Sequence, residues 1–406
     1  MTTATPDLAA FRDEVRSWLN TNFPRSLAGR AAEIGGLSTG RNDLPDDVQQ
    51  WVRSLGERGF GAPTWPREFG GAGLTGAQNR VLQDELYNAD AFNPIPFMAG
   101  MGVTMVGPTI LEYGTAAQKQ QHLPPIASGR IRWCLGLSEP GAGSDLAALT
   151  TRAEDKGDYW QLNGQKTWTS GADISQWCGA LVRTDPHVAK RDGISFLLLP
   201  MDQPGVRTRP IRLIAGASPF CETFLTDARA EKADLLGPLN KGWTVVKRLL
   251  QHERASQTGA RMAGAANEER FQDMAKRYVG ADDSGRLADA DLRTRLTNHL
   301  MDAKAHSLTA ARIVAEEKGN VEVSAAASIL KNSATTVAQT RSELTLELMG
   351  YNGLGWEGEH YAPEEISTVR SWLGGKAMSI YGGSFEVQNN IIAKNILGLP
   401  ETTQKG

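Results

Sequence analysis

The spacing of apolar residues changes twice along the 406-residue chain, and this change restricts the possible folds. Before residue 130, apolar residues recur every three or four positions, as in amphipathic helices. The middle of the chain contains short apolar runs bounded by glycine, proline and asparagine, which are typical of strands. Helical spacing then returns. The sequence therefore predicts an α+β protein with helical domains at 1–130 and 238–406 and a β-sandwich or barrel domain at 131–237.

The balance of charges and the use of cysteine exclude several classes of protein. Forty-three basic and 46 acidic residues give a net charge of -3, which argues against a nucleic-acid surface. Cys134, Cys178 and Cys221 are too widely spaced for a disulfide framework or a metal-ligand motif. No apolar run approaches the roughly 18 residues that a membrane span requires. These features favour a protein of the reducing cytoplasm with no bound metal and no membrane partner.

The middle part carries three local strand signals. Asn163–Gly164 lies between apolar residues and predicts a tight hairpin turn, because this pair tolerates positive φ at both turn positions. Segment 193–200 is a short apolar run that ends in proline and predicts a strand, and segment 208–214, TRPIRLI, is another strand candidate.

A glycine-rich loop, EPGAGSD at 139–145, follows the apolar stretch WCLGLS. Exposed backbone N–H groups in such a loop can hold a phosphate or the carbonyl oxygens of a ring. The loop lacks the lysine of a P-loop and does not open a βαβ unit. Taken alone, it favours an ordinary tight turn over a ligand site.

Four segments together resemble the acyl-CoA dehydrogenase family. They are CLGLSEPGAGSD (134–145), NGQKTWTSGA (163–172), ELMGYNGLG (347–355) and IYGGSFEVQNNIIAKNILGLP (380–400), and they follow the family's order and approximate spacing. The resemblance covers essentially the whole chain. It implies a C-terminal four-helix bundle, FAD bound between the β domain and the C-terminal helices, and dehydrogenation of an acyl-CoA thioester between its α and β carbons.

The resemblance also assigns single residues to the cofactor. The positions matched to FAD contacts are Leu135, Leu137, Ser138, Gly143, Ser144, Trp168, Ser170, Glu347, Ser384 and Glu386. Trp168 and Ser170 match the residues that flank the isoalloxazine ring and its N5. A tryptophan at this place also has a plain structural interpretation, as a cap on the β core.

Three positions are matched to the acyl-CoA substrate. Ser144 and Arg254 match residues on the CoA side, and the backbone N–H of Gly382 would donate to the thioester carbonyl. Arg254 is equally compatible with a solvated or structural arginine. Gly382 is equally compatible with a turn that ends a helix.

The reaction requires a carboxylate against the substrate α-carbon. Most of the family carries that glutamate where this chain has Gly382, but isovaleryl- and long-chain-type members take it from a helix, in a segment similar to LLQHERA. That match makes Glu253 the base. The helical pattern agrees, because Glu253 lies on the face of Val246, Leu249 and Leu250. Burial there is expected to raise its pKa toward neutrality. The alternative is a surface glutamate or a salt-bridge partner.

Some residues depart from the family pattern. The segment KRYVGADD stands where many members have R-x-x-F-G, and Glu347 replaces the usual glutamine. The stretch VRSWLGGKAMSIYGG (369–383), which runs into the last motif, is longer than in the fatty-acid enzymes. It resembles bacterial members that act on bulky or steroid-derived CoA esters, some of which assemble from two unlike subunits.

The resemblance implies an electron-transfer flavoprotein as the acceptor and a homodimer, homotetramer or heterotetramer as the assembly. Three hypotheses therefore stand: an autonomous dehydrogenase, a subunit that needs a partner to complete its site, and an oxidase or flavin monooxygenase on the same scaffold. The presence of Glu253 disfavours a monooxygenase, which needs no α-proton base.

Overall fold

The computed structural model describes residues 7–31, 33–34, 44–264, 271–317 and 326–400. The chain divides into two compact units. The first comprises the described residues up to Ile211 together with Ser218–Ser256, and the second comprises Arg212–Ala217 and the described residues from Gln257 onward. The predicted order of helices, strands and helices is confirmed.

Helices precede the sheet in the first unit. They are α1 Leu8–Asn22, α2 Asp46–Arg58, α3 Gly76–Asn88, α4 Ile95–Met98, α5 Gly107–Tyr113 and α6 Ala116–Ala127. Thr75 and Thr115 begin α3 and α6 with capping boxes, each threonine side chain accepting from the backbone three residues later. Buried leucines and Trp51 pack α1, α2 and α3 into one core.

One seven-stranded sheet follows. Its strands are β1 Trp133–Gly136, β2 Arg152–Asp155, β3 Tyr159–Ser170, β4 Trp177–Arg183, β5 Ile194–Pro200, β6 Val206–Ile211 and β7 Phe220–Glu231. They are ordered β1-β4-β2-β3-β7-β6, with β5 paired to β4. The strands predicted at 193–200 and 208–214 correspond to β5 and β6.

The hairpin predicted at Asn163–Gly164 is wrong, because β3 runs through this pair without turning. Glycine is required there for a different reason: a Cβ on Gly164 would lie 2.4 Å from Oγ1 of Thr151 and 2.7 Å from its Cα. The Asn163 side chain exchanges two hydrogen bonds of 2.9 Å with Asp227 on β7, one with its backbone N–H and one with its carboxylate. A close approach between strands, and not a turn, therefore explains the pair.

Two irregularities interrupt the pairing of β3 with β7. Between Leu162 and Gly164 the extra residue belongs to β7, where Asp227 has a φ of 53°. Between Lys166 and Thr169 the extra residue belongs to β3, where Trp168 has a φ of 58°. Such bulges bend a strand and redirect a side chain.

Helix α7, Gly242–Gly264, begins in the first unit and carries an apolar stripe. Val245, Val246 and Leu249 on this helix are fully buried in one cluster with Leu181 on β4 and Phe196 on β5. The start of α7 is therefore fixed against the sheet.

The described helices of the second unit follow α7. They are α8 Phe271–Tyr278, α9 Ala290–Glu317, α10 Ala326–Met349, α11 Pro363–Gly375 and α12 Phe385–Asn395. A buried cluster that includes Met274, Leu296 and Leu344 packs α8, α9 and α10 together. Buried Glu365 accepts hydrogen bonds from Tyr278 at 2.8 Å and Asn352 at 3.0 Å. Among the described helices of both units, none is long and apolar enough to span a bilayer.

Candidate functional site

Trp168 has an unusual backbone conformation and an unusual exposure for a residue of the sheet. It occupies the bulge in β3 with a left-handed backbone, which costs a non-glycine residue roughly 1–2 kcal/mol. Its side chain is 56% exposed and contacts Phe220 edge-on, with ring centroids 6.0 Å apart. The residue therefore does not cap the β core, and its indole is available to a flat ring.

The glycine-rich loop presents open backbone beside β1. Glu139 and Ala142 exchange backbone hydrogen bonds of 3.0 and 3.1 Å, which makes the tight turn expected of this segment. A Cβ placed on Gly141 or Gly143 would meet no described atom within 4 Å, and neither residue has a positive φ. The protein's own contacts and backbone thus do not explain why these positions are glycine. An occupant lying over the loop would explain it.

Further predicted cofactor residues lie near this loop and the bulge. Ser144 in the loop is exposed, whereas Leu135, Leu137, Ser138 and Ser170 are half-buried. Accessible apolar and hydroxyl groups of this kind suit a ligand that is partly aromatic and partly polar.

A buried ion pair that the motifs did not single out joins the loop to the bulged strand. Nζ of Lys166 lies 2.8 Å from Oε1 of Glu139, and the two side chains are 1% and 5% exposed. Burial opposes ionisation of Glu139, but the positive charge of Lys166 and the donors of Thr150 and Thr151 outweigh it and lower its pKa to about 2. Burial also lowers the pKa of Lys166, and Glu139 opposes that change. The one feature of the sequence that pointed to this pair is that Glu139 lies in the motif at 134–145 and Lys166 in the motif at 163–172.

Glu253 lies on α7 one turn beyond Leu249 and is half-buried. It follows fully buried Leu249 by four residues and half-buried Leu250 by three, so it shares their face as the sequence predicted. The side chain of Arg254 lies outside the described side chains.

An ion pair fixes the turn of α7 that precedes Glu253. Arg248 donates to Glu112 on α5 from Nε at 2.7 Å and from Nη2 at 2.7 Å. Nε2 of His252 lies 3.3 Å from the same carboxylate. Burial lowers the pKa of His252 in spite of the opposing effect of Glu112. Arg248 and His252 thus connect the turn of α7 before Glu253 to Glu112 on α5.

Four predicted site residues belong to the second unit. Exposed Glu347 forms an ion pair with Arg295, which compensates the negative charge that replaces the family's glutamine. Ser384 caps α12 by accepting from the N–H of Val387 at 3.4 Å. The Ser384 hydroxyl also lowers the pKa of exposed Glu386.

Gly382 has a φ of 68°, and its carbonyl accepts from Nε2 of buried Gln388 at 2.7 Å. A left-handed backbone at this turn requires glycine for local reasons. It is also compatible with an exposed N–H donor. In the part of the chain that the structure describes, no group of three or more acidic, histidine or cysteine residues could hold a metal ion.

Sequence profiles of three domains match the chain in order. The acyl-CoA dehydrogenase N-terminal domain matches residues 5–130, the middle domain residues 134–228 and the C-terminal domain residues 240–397.

Relatives and solved structures match along nearly the whole chain. The acyl-CoA dehydrogenase IpdE1 of Mycobacterium tuberculosis is 36% identical over 397 residues, covering 97% of this chain and 98% of the relative. The solved Tcur3481-Tcur3483 steroid ACAD has a TM-score of 0.76 at 28% identity, covering 99% of this chain and 100% of that chain. The ChsE4-ChsE5 complex from Mycobacterium tuberculosis has a TM-score of 0.72 at 28% identity, with the same coverage of 99% and 100%.

Proposed function

The chain belongs to the acyl-CoA dehydrogenase family of oxidoreductases, and on that premise we propose that it catalyses FAD-dependent α,β-dehydrogenation of an acyl-CoA thioester with Glu253 as the base. In this reaction bound FAD supplies the acceptor for the β-hydrogen as hydride. The chain's own residues bind the two ligands, orient them and remove the α-proton.

The residues of the first unit fit a flavin. The open face over Gly141 and Gly143 accommodates a ligand that approaches the backbone closely, and the exposed indole of Trp168 offers a surface for stacking. Hydroxyl groups of Ser138 and Ser170 can donate to polar atoms at the edge of a ring. We assign the flavin to this loop and bulge.

The position of Glu253 carries the mechanistic proposal. It is a half-buried carboxylate one helical turn beyond fully buried Leu249, and Gly382 occupies the position where most members of the family place their glutamate. The Arg248–Glu112 ion pair joins the preceding turn of α7 to α5. In this assignment Glu253 takes the α-proton.

Substitution of the base tests the proposal. Glu253→Gln preserves shape but removes the proton acceptor, so the purified variant should remain yellow and should not be bleached by acyl-CoA under anaerobic conditions. Glu57→Gln, which alters an exposed glutamate on α2, is the matched control and should bleach like the wild type. Undiminished bleaching of the Glu253 variant would reject Glu253 as the base.

A second candidate is a subunit of a heteromeric dehydrogenase for bulky or steroid-derived CoA esters. Two solved structures similar to this chain are the Tcur3481-Tcur3483 steroid ACAD and the ChsE4-ChsE5 complex, and each name joins two proteins. Exposed apolar side chains among the described residues of the second unit also support association with another chain; they include Tyr351, Leu354, Ile380 and Leu397. Light scattering and the flavin-to-protein ratio test this candidate. A homo-oligomer saturated with FAD when purified alone would rule it out.

The acceptor and the acyl group require separate measurements. We propose an electron-transfer flavoprotein as the acceptor, in which case turnover reduces that protein and consumes no oxygen. Oxygen consumption in step with product would instead identify an oxidase. Flavin bleaching by straight-chain, branched, aromatic and steroid-like CoA esters, compared at equal concentration, would define the substrate class.

A further inference from the structure

The buried ammonium group of Lys166 makes three hydrogen bonds. It donates to the carbonyl of Leu137 at 3.2 Å, to Oε1 of Glu139 at 2.8 Å and to the carbonyl of Leu181 at 2.6 Å. An ammonium group has three donors, and here each has an acceptor. Two of these acceptors lie at the start of the glycine-rich loop: Leu137 lies just before it and Glu139 is its first residue. Lys166 therefore links β3 directly to that loop.

The partner carboxylate is held from its other side by the end of the same loop. Glu139 accepts from the N–H of Thr150 at 2.6 Å, from Oγ1 of Thr150 at 2.9 Å and from the N–H of Thr151 at 2.9 Å. The carboxylate therefore ties together the two ends of the segment 139–151. Lys166 attaches this closed loop to the sheet.

The same strand then enters the bulge. The N–H of Thr167 donates to the carbonyl of Ser138 at 2.9 Å, between the two residues that Lys166 contacts in the loop. Trp168 follows in its left-handed conformation. A strained conformation of this kind persists only where its surroundings fix it, and the contacts of Lys166 and Thr167 supply that constraint immediately before Trp168.

Stability alone does not account for a buried ion pair here. Removing two charges from water costs about as much as their attraction returns, so well-packed apolar residues often serve equally well. What the pair adds is direction, because the three hydrogen bonds donated by Lys166 and the four accepted by Glu139 connect β3 and β4 with both ends of the segment 139–151.

We propose that Lys166 and Glu139 are a positioning pair. The pair holds residues 137–144, which include most of the glycine-rich loop, and the Trp168 bulge in the geometry that receives the flavin. The proposal rests on the proposed function only for the identity of that ligand. Neither residue touches the reacting atoms in this assignment. Their effect is transmitted through Leu137, Ser138 and Trp168.

Hydrogen exchange of the full chain without FAD tests the geometric part. In Lys166→Met with Glu139→Gln, which removes both charges at similar volume, amides of 137–144 and 167–170 should exchange roughly tenfold faster or more, while the rest of the sheet stays protected. Glu139→Asp, which retains both charges but shortens the reach by one methylene group, should give a smaller increase in the same segments. Lys156→Met with Glu154→Gln removes an exposed ion pair of the same domain and should change neither segment.

Two exchange results would overturn the proposal. One is that amides of 137–144 and 167–170 exchange at the wild-type rate both in the double variant and in Glu139→Asp. The other is loss of protection spread evenly over the sheet, which would indicate a purely structural role. Should the double variant not fold, Glu139→Asp decides by the same two criteria.

Flavin binding tests the second part. If the wild type binds FAD, the double variant should bind it at least about tenfold more weakly and with an altered visible circular dichroism spectrum, while the exposed-pair control keeps both properties. Equal affinity and equal spectra would overturn the proposal. If the wild type does not bind FAD, the proposed function fails, and the exchange measurement still decides whether the pair positions the loop and the bulge.

Discussion

Replacement of His122 should alter how the stability of the first unit depends on pH. His122 on α6 is 1% exposed and lies edge-on to Trp133 and Trp177, with centroid distances of 5.2 and 4.6 Å. Its Nε2 has no hydrogen-bond partner among the described residues. Burial lowers the pKa of His122 from 6.5 to about 4, because charging the ring in this apolar setting is unfavourable.

The sign and size of the effect follow from the two pKa values. Between pH 6.5 and 4 the unfolded chain binds a proton at this histidine and the folded chain does not, so acidification favours unfolding. Each pH unit in that window is worth about 1.36 kcal/mol. Lowering the pH from 7.5 to 4.5 should therefore remove about 2 to 3 kcal/mol of unfolding free energy through His122 alone. Below pH 4 the contribution should level off.

His122→Phe isolates the pH-dependent contribution of His122 to the unfolding free energy, because phenylalanine fills a similar space and cannot bind a proton. Urea unfolding of wild type and variant should be followed by tryptophan fluorescence at pH 7.5, 6.5, 5.5 and 4.5. Burial also lowers the pKa values of His252 and His299, but these residues are present in both proteins, so their contributions cancel in the comparison. His187→Gln removes an exposed histidine and is the control.

The expected result is that the unfolding free energy of the wild type falls by about 2 to 3 kcal/mol more than that of His122→Phe from pH 7.5 to 4.5. The control should follow the wild type. Parallel pH profiles for wild type and His122→Phe would refute the reasoning. So would an NMR titration in which the His122 ring protonates near pH 6.5 in the folded protein.

Three further changes test the site and the helical core. Gly143→Val should leave the melting temperature nearly unchanged, since the space beside Gly143 is free of described atoms, but should weaken FAD binding about tenfold, as measured by fluorescence titration. Trp168→Gly removes the left-handed strain and should keep the unfolding free energy within about 1 kcal/mol while weakening FAD binding; full retention of affinity would exclude stacking on the indole. Glu85→Gln weakens the charge-assisted bonds that buried Glu85 accepts from Arg12 and Arg16, and urea unfolding should show a loss of about 2 kcal/mol.

Local pattern was sufficient to predict the secondary structure where one face of an element is buried. The helical spacing near the start of the chain became α1, on which Val15 and Leu19 are buried, and the apolar run at 193–200 became the buried strand β5. The prediction of a turn at Asn163–Gly164 was wrong because it rested on local propensity and not on burial. The pair has strong turn propensity, but contacts with Thr151 and Asp227, distant in sequence, decide its conformation.

The site was predictable in residue type and not in geometry. The motif identified Trp168, yet its exposure and left-handed backbone arise from an extra residue in β3 relative to β7, which a single strand's sequence does not reveal. Lys166 and Glu139 were overlooked because a charged residue in a motif is ordinarily taken as exposed, and their pairing joins positions far apart in the chain. The half-burial of Glu253 agrees with the helical stripe that singled it out, and its role as base remains a prediction.

The two irregularities in the β3–β7 pair compensate each other. Tyr159 opposite Glu231 and Thr169 opposite Cys221 belong to the same alignment, and only the stretch around Gly164–Lys166 is displaced by one residue. Deleting a residue at one irregularity alone would carry that displacement to one end of the pair. Since side chains alternate between the two faces of a sheet, the buried and the exposed side chains at that end of the β3–β7 pair would then exchange faces. Insertions and deletions accepted in natural or engineered variants of this sheet should therefore come as matched events, one on each strand.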